Sequence, residues 1–411
     1  MVVRALPANR KLIRDINQNN LLNFIKTEGP VSRTRLAELS GLSLATISGV
    51  TGRLLERNLI LESGAAQSTG GRKAGLLEIQ PEGGYALGLK ITEHEVIAVI
   101  LNLNAEIVYT ERIKVELRGE GRHSIQLLAL EVAQLLKRSR LPEEKIIGLG
   151  CGLPGTINGV QGICIDSPIL GWHQVDIAGL LGNLLNLPVY LDNDVNSLAI
   201  YEKFFGQGQN YQNFLTVTVG RGLGLGLVIN GDVYRGAVGG AGELGHTTVT
   251  FGGRHCECGK RGCLEAYVSD HGFVETWLAK AGNSPLVGLS DAAGFEMVLK
   301  QAHAGEKAAC DTFDEAGQLL GVSLANLVNI LNPEMIILSG SGAAAGDLLF
   351  SPLKVALNAH CFGQLGDQLR LLIEPTGDES WARGAGSLVL RKFFLSPIEA
   401  HSEKFESLAI S

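Results

Sequence analysis

Three of the chain's seven cysteines fall within eight residues, at Cys256, Cys258 and Cys263, and His246 stands ten residues before the first of them. Three thiolates and one imidazole form a common closed, tetrahedral set for structural zinc. Gly259 and Gly262 let the backbone turn tightly enough for Cys258 and Cys263 to meet one ion. Three buried free cysteines, or one disulfide and a spare thiol, would also suit the count. The neighbours, however, are Gly, Lys, Arg and His rather than core residues, which favours a structural Zn2+ held by His246, Cys256, Cys258 and Cys263.

The elements that must position this loop belong to a chain of 411 residues, enough for two or three domains and a large core. Apolar residues make up 45 % without a run long enough to span a bilayer. Met1 leads into Arg4, Arg10 and Lys11 with no apolar stretch, so no signal peptide is expected. The odd, clustered cysteines fit a reducing cytoplasm, and without a spanning run no membrane partner is expected. Charge is uneven: residues 1–80 hold 11 Lys/Arg against 6 Asp/Glu, a balance of +5, on a chain of net charge −7. A basic block on an acidic body suits a DNA-binding arm, although charge alone fits an ordinary solvated surface equally well.

The N-terminal pattern gives that arm a shape. Ile16, Leu21, Phe24 and Ile25 mark an amphipathic helix over 16–28, stopped by Gly29-Pro30. Ser32 caps a short second helix, and Ser43 a third, to about Arg57, that buries Ile47, Val50 and Leu54. This is the helix-turn-helix plan, with Ala45, Thr46, Ser48, Gly49 and Arg53 on the remaining faces. Small and hydroxyl-bearing residues there permit close approach to a groove and hydrogen bonds to phosphates or base edges. Two strands, 59–62 and 76–79, flank Ser68-Thr-Gly-Gly-Arg-Lys73 like a wing. Gly70 and Gly71 would let its tip lie on DNA, with Arg72 entering a narrow minor groove beside Lys73. Expected DNA-binding residues are therefore Ser43, Ala45, Thr46, Ser48, Arg53, Gly70, Gly71, Arg72 and Lys73.

Beyond a linker at Pro81–Gly84, three apolar strands at 85–92, 96–103 and 107–115 read as a meander, followed by a helix over 123–138. Strands near 146–152 and 189–191 alternate with helices, which implies α/β packing. A second lobe opens with strands at 214–219 and up to 229, turns helical from 264 to 330, and adds a strand before Gly340 and helices near 349–359 and 383–394.

Glu243-Leu-Gly-His246 followed by Cys256-x-Cys258-Gly-x-x-Gly-Cys263-x-Glu265 resembles the signature of the ROK family (repressors, open reading frames and kinases). The resemblance spans nearly the whole chain. It implies an α/β fold: an N-terminal winged helix-turn-helix and linker at 1–82, then a two-lobed actin-like, ribonuclease H-like sugar-kinase body. The first lobe would take 83–200 plus the C-terminal helix of about 383–411, and the second 201–382, with the sugar site at the cleft.

The resemblance also assigns sugar-binding roles to Asn193, Asp194, Glu243, His246 and Glu265. In the family's kinases the Asp of that pair is the general base for a sugar hydroxyl; for binding alone, the pair serves adjacent hydroxyls. Asp194 could instead cap the helix that follows it. Family kinases carry Asp-x-Gly-Gly-Thr after the first strand, where this chain reads Leu87-Gly88-Leu89-Lys90 without the Asp. The second phosphate loop keeps its glycines at Gly220, Gly222, Gly224 and Gly226 but places Arg221 where those kinases have Thr. The chain thus reads as a repressor of sugar-utilisation genes, released by a glucose-, xylose- or N-acetylglucosamine-type monosaccharide, and not an enzyme. Operator DNA would need a homodimer or homotetramer. An active hexose kinase with a fused DNA-binding domain is the alternative, with Asp194 as its base.

Overall fold

A computed structural model describes residues 10–65, 75–282, 290–374 and 377–395. The chain divides into two compact units, Met1–Asp192 with Ala382–Ser411, and Asn193–Trp381.

The first unit begins with α1 (Arg10–Glu28), β1 (Val31–Ser32), α2 (Arg33–Ser40) and α3 (Leu44–Glu56), then β2 (Ile60–Ala65) and β3 (Gly75–Ile79). Helix α1 starts six residues earlier than the apolar spacing indicates; Ile13 in that first part is half exposed and stands off the buried stripe. Ser32 Oγ accepts from Arg35 N–H and Ser43 Oγ from Thr46 N–H, each 3.2 Å, so both serines start their helices as side-chain caps. Strands β2 and β3 pair antiparallel, with β1 on the far side of β3. Leu21, Ile25, Leu36, Ile47, Leu54 and Leu77 are fully buried between the helices and this small sheet.

The same unit continues through β4 (Tyr85–Ile91), β5 (Glu95–Asn102), β6 (Ile107–Lys114), α4 (Gly121–Ser139) and β7 (Ile146–Leu153). It then adds β8 (Thr156–Asn158), β9 (Ile163–Ser167), β10 (Trp172–Asp176), α5 (Ile177–Leu185) and β11 (Val189–Asn193). The main sheet runs β11-β7-β4-β5-β6, a meander from β4 to β6 with β7 parallel to β4. Strands β8, β9 and β10 form a separate antiparallel sheet that sequence pattern does not reveal.

The second unit contains α6 (Asp194–Phe204), β12 (Phe214–Val219), β13 (Leu223–Ile229), β14 (Asp232–Val233), α7 (Glu265–Val268), α8 (Asp270–Ala281) and α9 (Asp291–His303). It ends with α10 (Lys307–Leu331), β15 (Met335–Ser339), α11 (Asp347–His360) and β16 (Arg370–Ile373). Its sheet runs β14-β13-β12-β15-β16. Phe273, Phe295 and Phe313 meet at centroid distances of 4.8–6.0 Å in the core beneath the helices, a spacing at which aromatic pairs add to area burial.

A last helix, α12 (Glu379–Phe394), returns to the first unit from Ala382 onward. A Cβ at Gly88 on β4 would overlap Ala382 O, and one at Gly150 on β7 would overlap Ala385 O. Glycine at these two strand positions is what lets α12 lie directly on the sheet.

Candidate functional site

Glu243, His246, Glu265 and the cysteines all belong to the second unit, on the loop between β14 and α7 and at the start of α7. Gly259 and Gly262 adopt positive φ, 85° and 78°, and Gly259 N–H closes a turn on Cys256 O. This fold-back brings one ligand atom from each of His246, Cys256, Cys258 and Cys263 within 4.8 Å of the others. Cys258 Sγ lies 3.7 Å from Cys263 Sγ, and His246 Nδ1 lies 3.6 Å from Cys256 Sγ. The four donors can hold one metal ion. Burial pushes the Cys256 thiol up to about 12. Burial also acts on Cys258, but the Lys260 amide and the neighbouring thiols outweigh it and bring that thiol below its usual value.

The imidazole of His246 faces two ways. Nδ1 is on the cysteine side, and Nε2 lies 3.9 Å from Glu243 Oε2. Glu265 completes the wall: its Oε2 accepts from Leu223 N–H (3.0 Å), and its Oε1 lies 3.8 Å from His246 Nδ1. The Glu243 carboxyl sits above its usual range although half its side chain is open to solvent. Desolvation is the main cause, with nearby Glu265 and Asp194 adding to it and His246 opposing. Asn193 is the N-cap of α6, and its Oδ1 and Asp194 Oδ1 both accept from Val195 N–H at 2.9 Å. The shared Val195 amide therefore holds this pair at the start of α6.

Arg221 is ion-paired to Glu257 (2.8 Å) and to Asp291 (3.6 Å). Beside it, Ser341 Oγ donates to the buried Asp270 (3.2 Å), whose carboxyl is raised to about 6, mainly by burial. Sequence reading missed this acid; its only signal is an Asp-His pair five residues past Glu265.

Of the residues expected to meet DNA, Ser43 starts α3, Ala45 and Ser48 are exposed along it, Thr46 is half-buried, and Arg53 lies near its end. Gly70, Gly71, Arg72 and Lys73 lie outside the described residues, between the paired strands β2 and β3. No helix among the described residues is long and apolar enough to cross a membrane.

The sequence profile of the ROK family matches residues 86–392. The xylose repressor of Bacillus spizizenii is 28 % identical over 386 residues, covering 94 % of this chain and 98 % of its own. A solved ROK family transcriptional regulator, described as a homologue of the E. coli MLC protein, superposes with a TM-score of 0.81 at 24 % identity, covering 93 % of this chain and 97 % of that one. A ROK family glucokinase from Streptomyces griseus, solved with glucose and AMPPNP, gives a TM-score of 0.63 at 26 % identity, covering 74 % of this chain and 99 % of that one.

Proposed function

The chain belongs to the ROK family, and on that premise we propose that it is a DNA-binding repressor of sugar-utilisation genes whose operator affinity is set by a neutral monosaccharide. One observation carries this reading. The chain combines a capped helix-turn-helix followed by an antiparallel hairpin with a second unit that gathers Asp194, Glu243, His246 and Glu265. A repressor is similar over almost the full length, whereas the glucokinase leaves a quarter of this chain unmatched. Asn193, Asp194, Glu243, His246 and Glu265 would hold the sugar: several acceptors around one imidazole suit a ligand with many hydroxyls and no charge. A homodimer or homotetramer would present two reading helices to two half-sites.

The metal is zinc in this reading. A tetrahedral ion with Zn–S of about 2.3 Å and Zn–N of about 2.0–2.1 Å sets two sulfurs about 3.8 Å apart and a sulfur about 3.6 Å from the nitrogen. The Cys258–Cys263 and Cys256–His246 separations of 3.7 and 3.6 Å fit this set. The bound ion would close the loop and fix the His246 ring, so that Nε2 becomes a rigid part of the sugar wall.

Phosphoryl transfer does not suit the site. A phosphate cradle works through backbone amides that point at the ligand. Here Gly220 N–H is bonded to Gly222 O and Leu223 N–H to Glu265 Oε2. Arg221 is paired with Glu257 and Asp291 within the protein, so its charge is taken up internally where family kinases have a Thr. Asp194 would therefore orient a hydroxyl without an electrophile beside it. The test is a gel shift on the chain's own upstream DNA with a panel of sugars, beside a coupled kinase assay with Mg-ATP. Sugar-dependent release, weakened in Asp194→Asn, with no turnover supports the proposal. Turnover on the order of 1–100 s⁻¹ would make the protein a kinase.

A further inference from the structure

Helices α1 and α3 flank an open cavity of about 260 Å³ beside the reading helix. Arg14 and Asn17 of α1 line it from one side, and Thr46, Gly49 and Arg53 of α3 from the other. No carboxylate lines it. Among the described residues neither arginine forms an ion pair, and the buried Arg53 Nε has no hydrogen-bond partner. Two cations and two neutral polar side chains thus line one space with no carboxylate to neutralise them. Buried guanidinium nitrogens are ordinarily hydrogen-bonded, so Arg53 carries an unmet donor beside this space.

Gly49 adds an independent sign. It is exposed in mid-helix, and a Cβ built on it would meet nothing within 4 Å. Glycine weakens a helix interior relative to alanine, and nothing within this chain requires it here. Close approach by a partner's backbone would require it.

We propose that this cavity is a seat for one phosphate of the DNA backbone, held between Arg14 of α1 and Arg53 of α3 with Asn17 and Thr46 as neutral donors. The proposal rests on the DNA-binding reading above and extends it to α1, outside the helix-turn-helix pair. Guanidinium forks match phosphate oxygens, and a phosphate on the flank of α3 would fix the depth and rotation of that helix in the groove. Such a contact carries no sequence information of its own.

The full-length protein is titrated with a duplex from the region upstream of its own gene and with a scrambled duplex, from about 50 to about 200 mM salt. Arg14→Ala, a change at an exposed position, is expected to weaken both duplexes by a similar factor. It should also lower the slope of log affinity against log salt by about 0.9, so the gap from wild type closes about 3.5-fold over that salt range. Gly49→Ala is expected to raise thermal stability while weakening both duplexes, a split that a purely structural glycine cannot give. Unchanged affinity and slope in Arg14→Ala overturn the phosphate seat, as does a loss confined to the upstream duplex, which marks a base contact. Wild-type protein that binds neither duplex overturns the DNA-binding reading itself.

Discussion

The C-terminal end of α12 is held by α1, the first helix of the proposed DNA-binding part, and cutting that link should uncouple sugar from operator. The last carbonyls of any helix lack intrahelical partners. In α12 two of the terminal carbonyls are met by side chains more than 370 residues away. Asn19 Nδ2 donates to Leu395 O at 2.6 Å and Asn23 Nδ2 to Phe394 O at 2.8 Å, while Lys26 Nζ stands 4.4 Å from the centre of the Phe394 ring. Because α12 also lies on β4 and β7 at Gly88 and Gly150, a shift of the helix on that sheet would pull on α1. Each half-buried amide bond contributes about 0.5–1.5 kcal/mol net, so Asn19→Ala with Asn23→Ala removes about 1–3 kcal/mol of connection. At about 1.4 kcal/mol per factor of ten, the ratio of operator affinities without and with sugar should fall by roughly fivefold to a hundredfold. Fluorescence anisotropy with labelled operator measures both affinities. The sugar-free affinity should stay near wild type, since neither asparagine lies on α3. A double variant that keeps the full wild-type ratio would refute α12 as the link.

The remaining expectations concern the metal loop, the helix seat and one buried lysine. Cys258→Ser should purify with less bound metal than wild type and respond more weakly to sugar, because the same loop carries His246; metal analysis of protein prepared without chelators checks it. Gly150→Ala should cost about 1–3 kcal/mol by overpacking, since its Cβ overlaps Ala385 O; faster hydrogen exchange along α12 is the readout, and unchanged exchange counts against the seat. Burial lowers Lys26 from its usual 10.5 to about 7. Between those values the unfolded chain keeps a proton that the folded chain sheds, so this residue makes folded-state stability rise with pH from about 7 to 10.5 and contributes no slope below. Lys26→Met should remove that part of the pH dependence of α1 hydrogen exchange.

What could be read from sequence was local. Ser32 and Ser43 announce their helices because an N-cap acts within three residues. The runs 85–91 and 95–102 announce strands because they are buried nearly throughout. The spacing of Cys256, Cys258 and Cys263 announces a candidate ligand set because short spacing keeps donors close, and with His246 they do gather within 4.8 Å. What stayed hidden depends on distant partners. His173 and Gln174 are exposed, and β10 therefore carries no apolar alternation. Asn19 and Asn23 look like solvent-facing positions of an amphipathic helix until the end of α12 arrives beside them. Asp194 was a candidate N-cap; Asn193 holds that position, and both side chains accept from the same amide.

The glycines show most plainly how one residue type carries two messages. Fifty-three of them suggest close approach to a ligand, and a Gly-rich loop from Gly220 to Gly226 suggests a phosphate cradle. In the folded chain a Cβ at Gly224 would run into Val195 Cγ2, and one at Gly226 would stand 2.8 Å from the Ala199 Cβ. Both residues lie within β13 and make room for α6, the helix that starts at the Asn193–Asp194 pair. Gly317 and Gly321 do the same on α10, where added Cβ atoms would meet Leu349 O and Leu353 O of α11. Helices lie this near a strand or one another only where the facing residue has no side chain. Glycine is therefore needed at 224 and 226 whether or not a nucleotide binds, because without it α6 would stand off β13. The glycine pattern is evidence for the body shared with sugar kinases, and the chemistry is read instead from Leu87, Leu89 and Arg221 and from where the loop's amides point.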